Sequence, residues 1–109
     1  DRLCVLPIAG KPVLYSFEKL DTPILLQSET NTPPWFRAEF SPNGEYLALG
    51  GLALEVWNVG GDPKLVASFK TKEPIHRLLW NGSGNQLAFA YGRLPNWSLG
   101  SVNFDPVNG

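Results

Sequence analysis

The sequence contains little of the side-chain chemistry that enzymes and metal proteins use. It has one cysteine, one histidine and no methionine in 109 residues. A single cysteine, Cys4, cannot form an internal disulfide, and one thiol with one histidine supplies too few ligands for a zinc site. We therefore predict no metal and no other cofactor. Because translation begins with methionine, we also expect the chain to be processed or to be part of a longer polypeptide.

Charged residues and long apolar runs are also scarce. Nine basic and ten acidic residues give a net charge of −1, and the absence of runs of one sign argues against a surface that binds phosphate backbones. No apolar run approaches the ~20 residues of a membrane helix, and the N-terminus lacks the basic-then-apolar pattern of a secretion signal. We predict a cytoplasmic protein that binds neither nucleic acid nor membrane.

The chain is instead rich in residues that form turns and compact β-structure. It contains 11 glycines, 10 prolines, four tryptophans, three tyrosines and six phenylalanines. This composition indicates many short elements that are joined by tight turns and bury large side chains. Apolar residues do not recur at helical spacing, so the sequence predicts an all-β protein.

An internal repeat is visible when the sequence is shifted by 40 positions. Residues 34–60 then align with residues 74–100 without a gap, and about one or two identities would be expected from composition. The eight identical pairs are Pro34 and Pro74, Arg37 and Arg77, Gly44 and Gly84, Leu47 and Leu87, Ala48 and Ala88, Leu54 and Leu94, Trp57 and Trp97, and Gly60 and Gly100. The repeat has a period of about 40 residues.

Each repeat has the pattern of a small antiparallel sheet. The runs "WFRAEF" and "IHRLLW" end at the turn sequences "SPNG" and "NGSG", which supply the proline, asparagine and glycine that hairpins need. Second strands follow in "EYLALG" and "NQLAFAYG", third strands in "LEVWNV" and "PNWSLG", and a fourth in "KLVASF". Four short strands in about 40 residues are typical of one blade of a β-propeller.

The predicted fold class is therefore all-β, with antiparallel four-stranded propeller blades in an incomplete ring. Residues 1–32 form a partial blade without its first strand, and residues 33–70 form a complete blade. Residues 71–109 form a blade with a truncated last strand, for which "SVNF" supplies at most a partial fourth strand. Propellers close with about four to eight blades. We expect the remaining blades to come from elsewhere in a longer polypeptide or from other copies.

The segment "AEFSPNGEYLALG", followed by "LEVWNV", resembles a WD-repeat blade. The family usually closes its third strand with Trp-Asp, whereas this chain has Trp57-Asn58 and Trp97-Ser98. Its usual Gly-His pair and turn aspartate are also missing. Propellers attached to prolyl-oligopeptidase-like or TolB-like proteins resemble this sequence nearly as well. The resemblance implies a rigid platform whose loops bind partner proteins.

Five residues are candidates for partner binding. Arg37 and Arg77 recur at one blade position near the expected central channel, either as donors to a carboxylate or phosphate or as contacts between neighbouring blades. Trp35, Tyr91 and Arg93 fall on or beside loops of the expected binding face, and their residue types are enriched in interface hot spots. Trp35 is alternatively a filler between blades.

Other residues recur in positions that predict structural roles. Trp57 and Trp97 match the family's closing tryptophan, and large aromatic residues supply much of the buried apolar surface of a small blade. The remaining structural candidates end the first strands or lie in the following turns: Phe40, Trp80, Gly44 and Gly84.

These features predict a non-catalytic scaffold for protein interactions. The lone histidine, His76, has no Gly-x-Ser-x-Gly or other nucleophile motif to act with, so we predict that the chain is not an enzyme. One alternative is a propeller that gates access to a hydrolase domain, and another is a self-assembling propeller oligomer. The expected partner is accordingly a protein, the remaining blades, or further copies of the chain.

Overall fold

The computed structural model describes residues 2–6, 11–16, 19–26, 35–71, 73–93 and 96–103. Every regular element in these ranges is a β-strand, and the strands form three antiparallel sheets. The predicted all-β class is therefore confirmed. These sheets do not form a closed ring. A search of the same ranges for a helix of sufficient length and apolarity to cross a membrane finds none.

Each sheet is a meander in which neighbours in sequence pair. The first sheet contains β1 (Arg2–Val5), β2 (Val13–Ser16) and β3 (Lys19–Leu25). The strands of the second sheet are β4 (Trp35–Phe40), β5 (Tyr46–Gly51), β6 (Ala53–Asn58) and β7 (Lys64–Lys70). Those of the third sheet are β8 (Ile75–Trp80), β9 (Gln86–Arg93) and β10 (Asn96–Asn103).

The turns between the first and second strands of the second and third sheets are stabilised by their own polar side chains. Asn43 Oδ1 accepts the hydroxyl of Ser41 at 2.7 Å and the backbone N–H of Glu45 at 3.1 Å. Asn81 Oδ1 similarly accepts two backbone N–H groups at the end of its turn. Gly44 and Gly84 have φ angles of 76° and 75°, a region that glycine enters without the steric cost of a Cβ. The two predicted turn glycines therefore fix the same backbone shape.

The second sheet is covered on both faces. Two clusters of buried residues flank it, one shared with the first sheet and one shared with the third. The first cluster consists of Leu14, Leu26, Trp35, Leu47, Leu49, Ala53, Trp57 and Val59. The second consists of Tyr46, Ala48, Leu54, Val56, Ile75, Leu78, Trp80 and Leu87. Every residue of β5 is consequently buried, as expected for a strand with no solvent-facing side.

Hydrogen bonds and one contact between a guanidinium and an aromatic ring also join the sheets. The guanidinium of Arg2 donates to the carbonyls of Gly44 and Val59 and lies 5.3 Å from the centre of the Phe40 ring. These contacts link the first sheet to the second. Between the second and third sheets, Trp80 Nε1 donates to the carbonyl of Glu39 at 3.0 Å.

The pairing register corrects one equivalence suggested by the 40-residue shift. Leu47 pairs with Trp57, ten positions later, whereas Leu87 pairs with Val102, fifteen positions later. The β9–β10 hairpin is therefore five residues longer than the β5–β6 hairpin. Val102, not Trp97, occupies the position of Trp57. Trp97 lies nearer the hairpin tip and is 46% exposed, so it does not have the closing role that its alignment with Trp57 predicted.

The end of the third sheet also differs from the prediction. Residues 101–103, which were expected to begin a partial fourth strand, continue β10. In the described part of the chain, β10 pairs only with β9, and its other edge is free. Phe104, the last residue of "SVNF", and the predicted blade boundary at residues 32 and 33 lie outside the described residues.

Candidate functional site

Arg37 and Arg77 occupy the same position in two successive sheets. Arg37 lies opposite Gly50 across β4 and β5, and Arg77 lies opposite Ala90 across β8 and β9. The Nε of Arg37 donates to the carbonyl of His76 in the third sheet at 2.8 Å. Arg37 therefore bridges neighbouring sheets. Arg77 is exposed, and its guanidinium has no hydrogen-bond partner among the described residues.

The pairing register defines a surface around Arg77. Several residues point away from the second sheet, and we call five of them the outer face of the third sheet: Arg77, Leu79, Ala88, Ala90 and Leu99. The second sheet has counterparts at the same register positions on its face toward the third sheet: Arg37, Glu39, Ala48, Gly50 and Leu54. Arginine, alanine and leucine recur at three of these five positions.

One pair of counterparts on the two faces differs strongly in exposure. Leu54 is 0% exposed because the third sheet covers it, whereas its counterpart Leu99 is 84% exposed. Leu79 is 71% exposed. A shallow depression of about 220 Å³ lies between these leucines and Arg77. Monomeric proteins rarely expose large contiguous apolar patches, and such patches often mark interaction sites.

The other predicted partner-binding residues do not form one surface. Trp35 begins β4 and is only 6% exposed, because it packs in the cluster between the first and second sheets. Tyr91 pairs with Ile75 and packs against the cluster on the opposite side of the second sheet. Arg93 ends β9 and is exposed. The second sheet separates Trp35 from Tyr91, so the Trp35 side chain fills the space between sheets.

His76 belongs to an aromatic cluster that sequence reasoning did not identify. It is the extra residue of a β-bulge between Ile75 and Arg77. Its ring stacks with Phe36 at a centroid distance of 6.4 Å and meets the Trp97 ring edge-on at 4.8 Å. Its Nε2 lies 3.1 Å from a backbone carbonyl, that of Gly92. In the described part of the chain, no carboxylate or nucleophilic side chain hydrogen-bonds this histidine.

A larger groove lies between β7 and the free edge of β10. Its volume is about 740 Å³. Residues of β7, β9, β10 and the connection after β7 line it: Phe69, Lys70, Thr71, Glu73, Phe89, Tyr91, Gly100, Ser101, Val102 and Asn103. The Phe89 and Tyr91 rings are 5.7 Å apart. Tyr91, predicted to bind a partner, therefore lies in this groove.

Two further ionisable side chains in the described part of the chain, those of Glu55 and Cys4, contact residues of the first cluster. Glu55 is 0% exposed and accepts a hydrogen bond from Trp57 Nε1 at 3.1 Å, a buried pair that the sequence did not reveal. Cys4 packs against the first cluster, and burial raises the pKa of its thiol to about 11. Within the described ranges, no group of three histidine, cysteine, aspartate or glutamate side chains could hold a metal ion.

Comparison with known proteins assigns no family. No protein-family model, no curated protein and no solved structure matches this chain significantly. Function is therefore inferred from the faces and edges of the sheets themselves.

Proposed function

We propose that this chain is a non-catalytic scaffold for protein interactions, built as a WD-repeat-like propeller segment. The outer face of the third sheet binds a further sheet of the same kind. One observation carries this proposal: Leu99 is 84% exposed at the register position where Leu54 is 0% exposed beneath a neighbouring sheet. The next sheet in the series would cover Leu99 as the third sheet covers Leu54.

The energetics favour such a cover. Burying a leucine side chain fully contributes about 1.5–3 kcal/mol, so Leu99 supplies much of the stabilisation on this face. Leu79 lies at the position of Glu39, which stays exposed although the third sheet packs on that face. Arg77 has the same place in its strand as Arg37, which donates to a carbonyl of the adjoining sheet. A covering strand that passes in the same way would give Arg77 a backbone acceptor.

The outer face also constrains the strand that covers it. A Cβ at Gly50 would lie 2.8 Å from Cγ2 of Ile75, so glycine is needed where that isoleucine packs. The outer face has Ala90 at this position. A strand that crosses Ala90 must therefore carry a side chain smaller than isoleucine there, or lie further away. This requirement selects among otherwise similar sheets.

The test is light scattering coupled to size exclusion, with a thermal melt, on the chain and two variants. Leu99→Glu places a charge in the outer face, while Val66→Glu changes an exposed apolar residue of β7 that is 46% exposed. We expect the unmodified chain to associate as its concentration rises. Leu99→Glu removes this association without lowering the melting temperature, and Val66→Glu leaves it unchanged.

Each outcome discriminates between hypotheses. Association of variable size that depends on Leu99 supports a docking face for a further sheet. A single discrete oligomer with a sharp melt would favour the self-assembling propeller instead. A monomer at every concentration, unaffected by Leu99→Glu, would contradict the assignment of the outer face as a docking surface.

A further inference from the structure

The free edge of β10 presents backbone groups in a defined order. The N–H of Gly92 donates to the carbonyl of Pro74, and the carbonyl of Gln86 accepts from Asn81, so both residues of β9 point these groups away from β10. Opposed residues in an antiparallel pair either exchange two hydrogen bonds or point their groups apart, in alternation. The residues opposite Gly92 and Gln86 therefore direct their backbone groups to the free edge. Every second residue of β10 does so: Trp97, Leu99, Ser101 and Asn103.

This edge adjoins the groove between the second and third sheets. The second sheet has a fourth strand, β7, beside β6, whereas the described part of the third sheet ends at β10. In the second sheet, Leu65 of β7 pairs with Trp57 and packs against the first cluster. Val102 occupies the position of Trp57 in the third sheet. No described side chain fills the place beside Val102 that Leu65 fills beside Trp57.

The groove is continuous with the established core. Phe89, Tyr91 and Val102 pack against the cluster between the second and third sheets and also line the groove. Phe69, on the opposite wall, is 49% exposed. A side chain that enters from the β10 edge would therefore extend an existing apolar core instead of forming a separate contact.

We propose that the β10 edge binds an extended segment of a partner protein by strand addition. The segment runs antiparallel to β10, as β7 does to β6, and pairs with the edge groups of Leu99, Ser101 and Asn103. An aliphatic side chain opposite Val102 enters the groove, and its neighbours along the segment point to the other face. Main-chain hydrogen bonds supply affinity and the groove supplies specificity, which is the usual division in this mode of recognition.

The experiment uses a fluorescein-labelled peptide with the sequence of residues 62–71, because β7 shows which side chains fit beside a third strand. Binding to the 109-residue chain is measured by fluorescence anisotropy, and amide chemical shifts locate the peptide. We expect saturable binding that perturbs the amides of Leu99, Ser101 and Asn103 and leaves the amides of β6 unchanged. A peptide with Leu65→Glu is expected to bind at least about tenfold more weakly, because the charge would enter the apolar groove.

Two protein variants distinguish backbone pairing at the β10 edge from nonspecific binding. Ser101→Pro removes an N–H that no described residue accepts, and proline is tolerated on an edge strand whose N–H faces solvent. We expect at least about a tenfold loss of peptide affinity from the missing hydrogen bond and the steric bulk of the ring. Ser101→Ala keeps the N–H and is expected to bind at least about tenfold more tightly than Ser101→Pro. Should Ser101→Pro not fold, a peptide N-methylated at its β10-facing amides makes the same test.

Several results would overturn the proposal. No peptide binding, either to the full chain or to a version ending at Asn103, would exclude strand addition at this edge. Binding only to the shortened version would assign the edge to residues 104–109 of the chain itself. A homodimer that Ser101→Pro dissociates would assign it to a second copy. Leu99→Glu tests the outer face separately, because its charged side chain lies on that face and its backbone N–H is retained.

Discussion

Exchanging Arg37 and Arg77 for alanine, one at a time, tests whether the two arginines differ as their surroundings indicate. Both lie at the same register position, but among the described residues only Arg37 donates to an adjoining sheet, at 2.8 Å to the carbonyl of His76. A hydrogen bond with a charged donor contributes about 1.5–3 kcal/mol when it is well shielded. Because Arg37 is exposed, we expect Arg37→Ala to lower the free energy of unfolding by about 1 kcal/mol.

The matched variant Arg77→Ala removes an arginine without a described partner. Surface substitutions away from specific contacts usually change stability by less than about 0.5 kcal/mol, and we expect a value in this range. The assay is urea unfolding followed by tryptophan fluorescence and far-ultraviolet circular dichroism. For a domain of this size, 1 kcal/mol corresponds to a shift of about 4 °C in melting temperature, which resolves the two variants.

The refuting outcomes are specific. Equal destabilisation by both substitutions would mean that Arg77 has a structural contact equivalent to that of Arg37. A neutral Arg37→Ala would mean that its bond to His76 contributes nothing to joining the sheets. The change in the denaturant slope must also stay small, because a lower slope would indicate a different unfolded state or loss of two-state behaviour.

Four further predictions concern the contacts between sheets and the half-buried thiol of Cys4. Gly50→Ala should lower the free energy of unfolding by about 1–3 kcal/mol through overpacking. When Ile75→Ala is added to the same chain, the combined loss measured by urea unfolding should be smaller than the sum of the two single losses. Trp80→Phe should lower the free energy of unfolding by about 1–2 kcal/mol, because the hydrogen bond to the Glu39 carbonyl is lost. Urea unfolding followed by circular dichroism measures this loss. Native Cys4, with a pKa of about 11, should react with iodoacetamide at pH 8 at least about tenfold more slowly than in urea. Stability should also fall as pH rises from about 9 to 11, since only the unfolded thiol ionises there, and a matched Cys4→Ala chain should lack that part of the fall.

Local patterns in the sequence predict strands well in this chain. The run "WFRAEF" corresponds to Trp35–Phe40, and "IHRLLW" corresponds to Ile75–Trp80. Both runs end at turns that residues of the same turn stabilise. The asparagine side chain accepts backbone N–H groups of the turn, and the glycine adopts a positive φ. The signal is strong because the turn residues and the apolar strands indicate the same boundaries.

Pairing register is less accessible from sequence, as Trp97 shows. An ungapped shift counts residues along the chain, whereas register is set by where the chain folds back and which side chains the core accepts. Five additional residues in the β9–β10 hairpin leave the identities up to Leu87 and Ala88 intact and displace everything beyond the hairpin tip. Val102 therefore occupies, in the third sheet, the position that Trp57 has in the second sheet, although Trp97 is the residue of identical type in the ungapped alignment.

The sequence predicted only those residues of the candidate site that recur in the 40-residue repeat. The recurrence of Arg37 and Arg77 indicated a common position, and one of the two interpretations was a contact between neighbouring blades. Arg37 does contact the neighbouring sheet. Leu99 gave no such signal, because the shift aligned Leu54 with Leu94. Its exposure and its equivalence to Leu54 follow from the three-dimensional register and could not be read from spacing.

The exposed faces at the two ends of the described stack of sheets differ, and the proposed docking at the outer face would therefore have a direction. At one end, Leu3, Val5 and Leu25 of the first sheet are 52%, 41% and 51% exposed. They lie opposite to the face that packs on the second sheet, as Leu99 does at the other end. A face that binds a different face of the next unit forms a heterologous contact, which leads to rings or open filaments, whereas a twofold dimer needs one self-complementary patch. Association through the ends should therefore extend the series of sheets in one direction until a ring closes or another partner covers the last face.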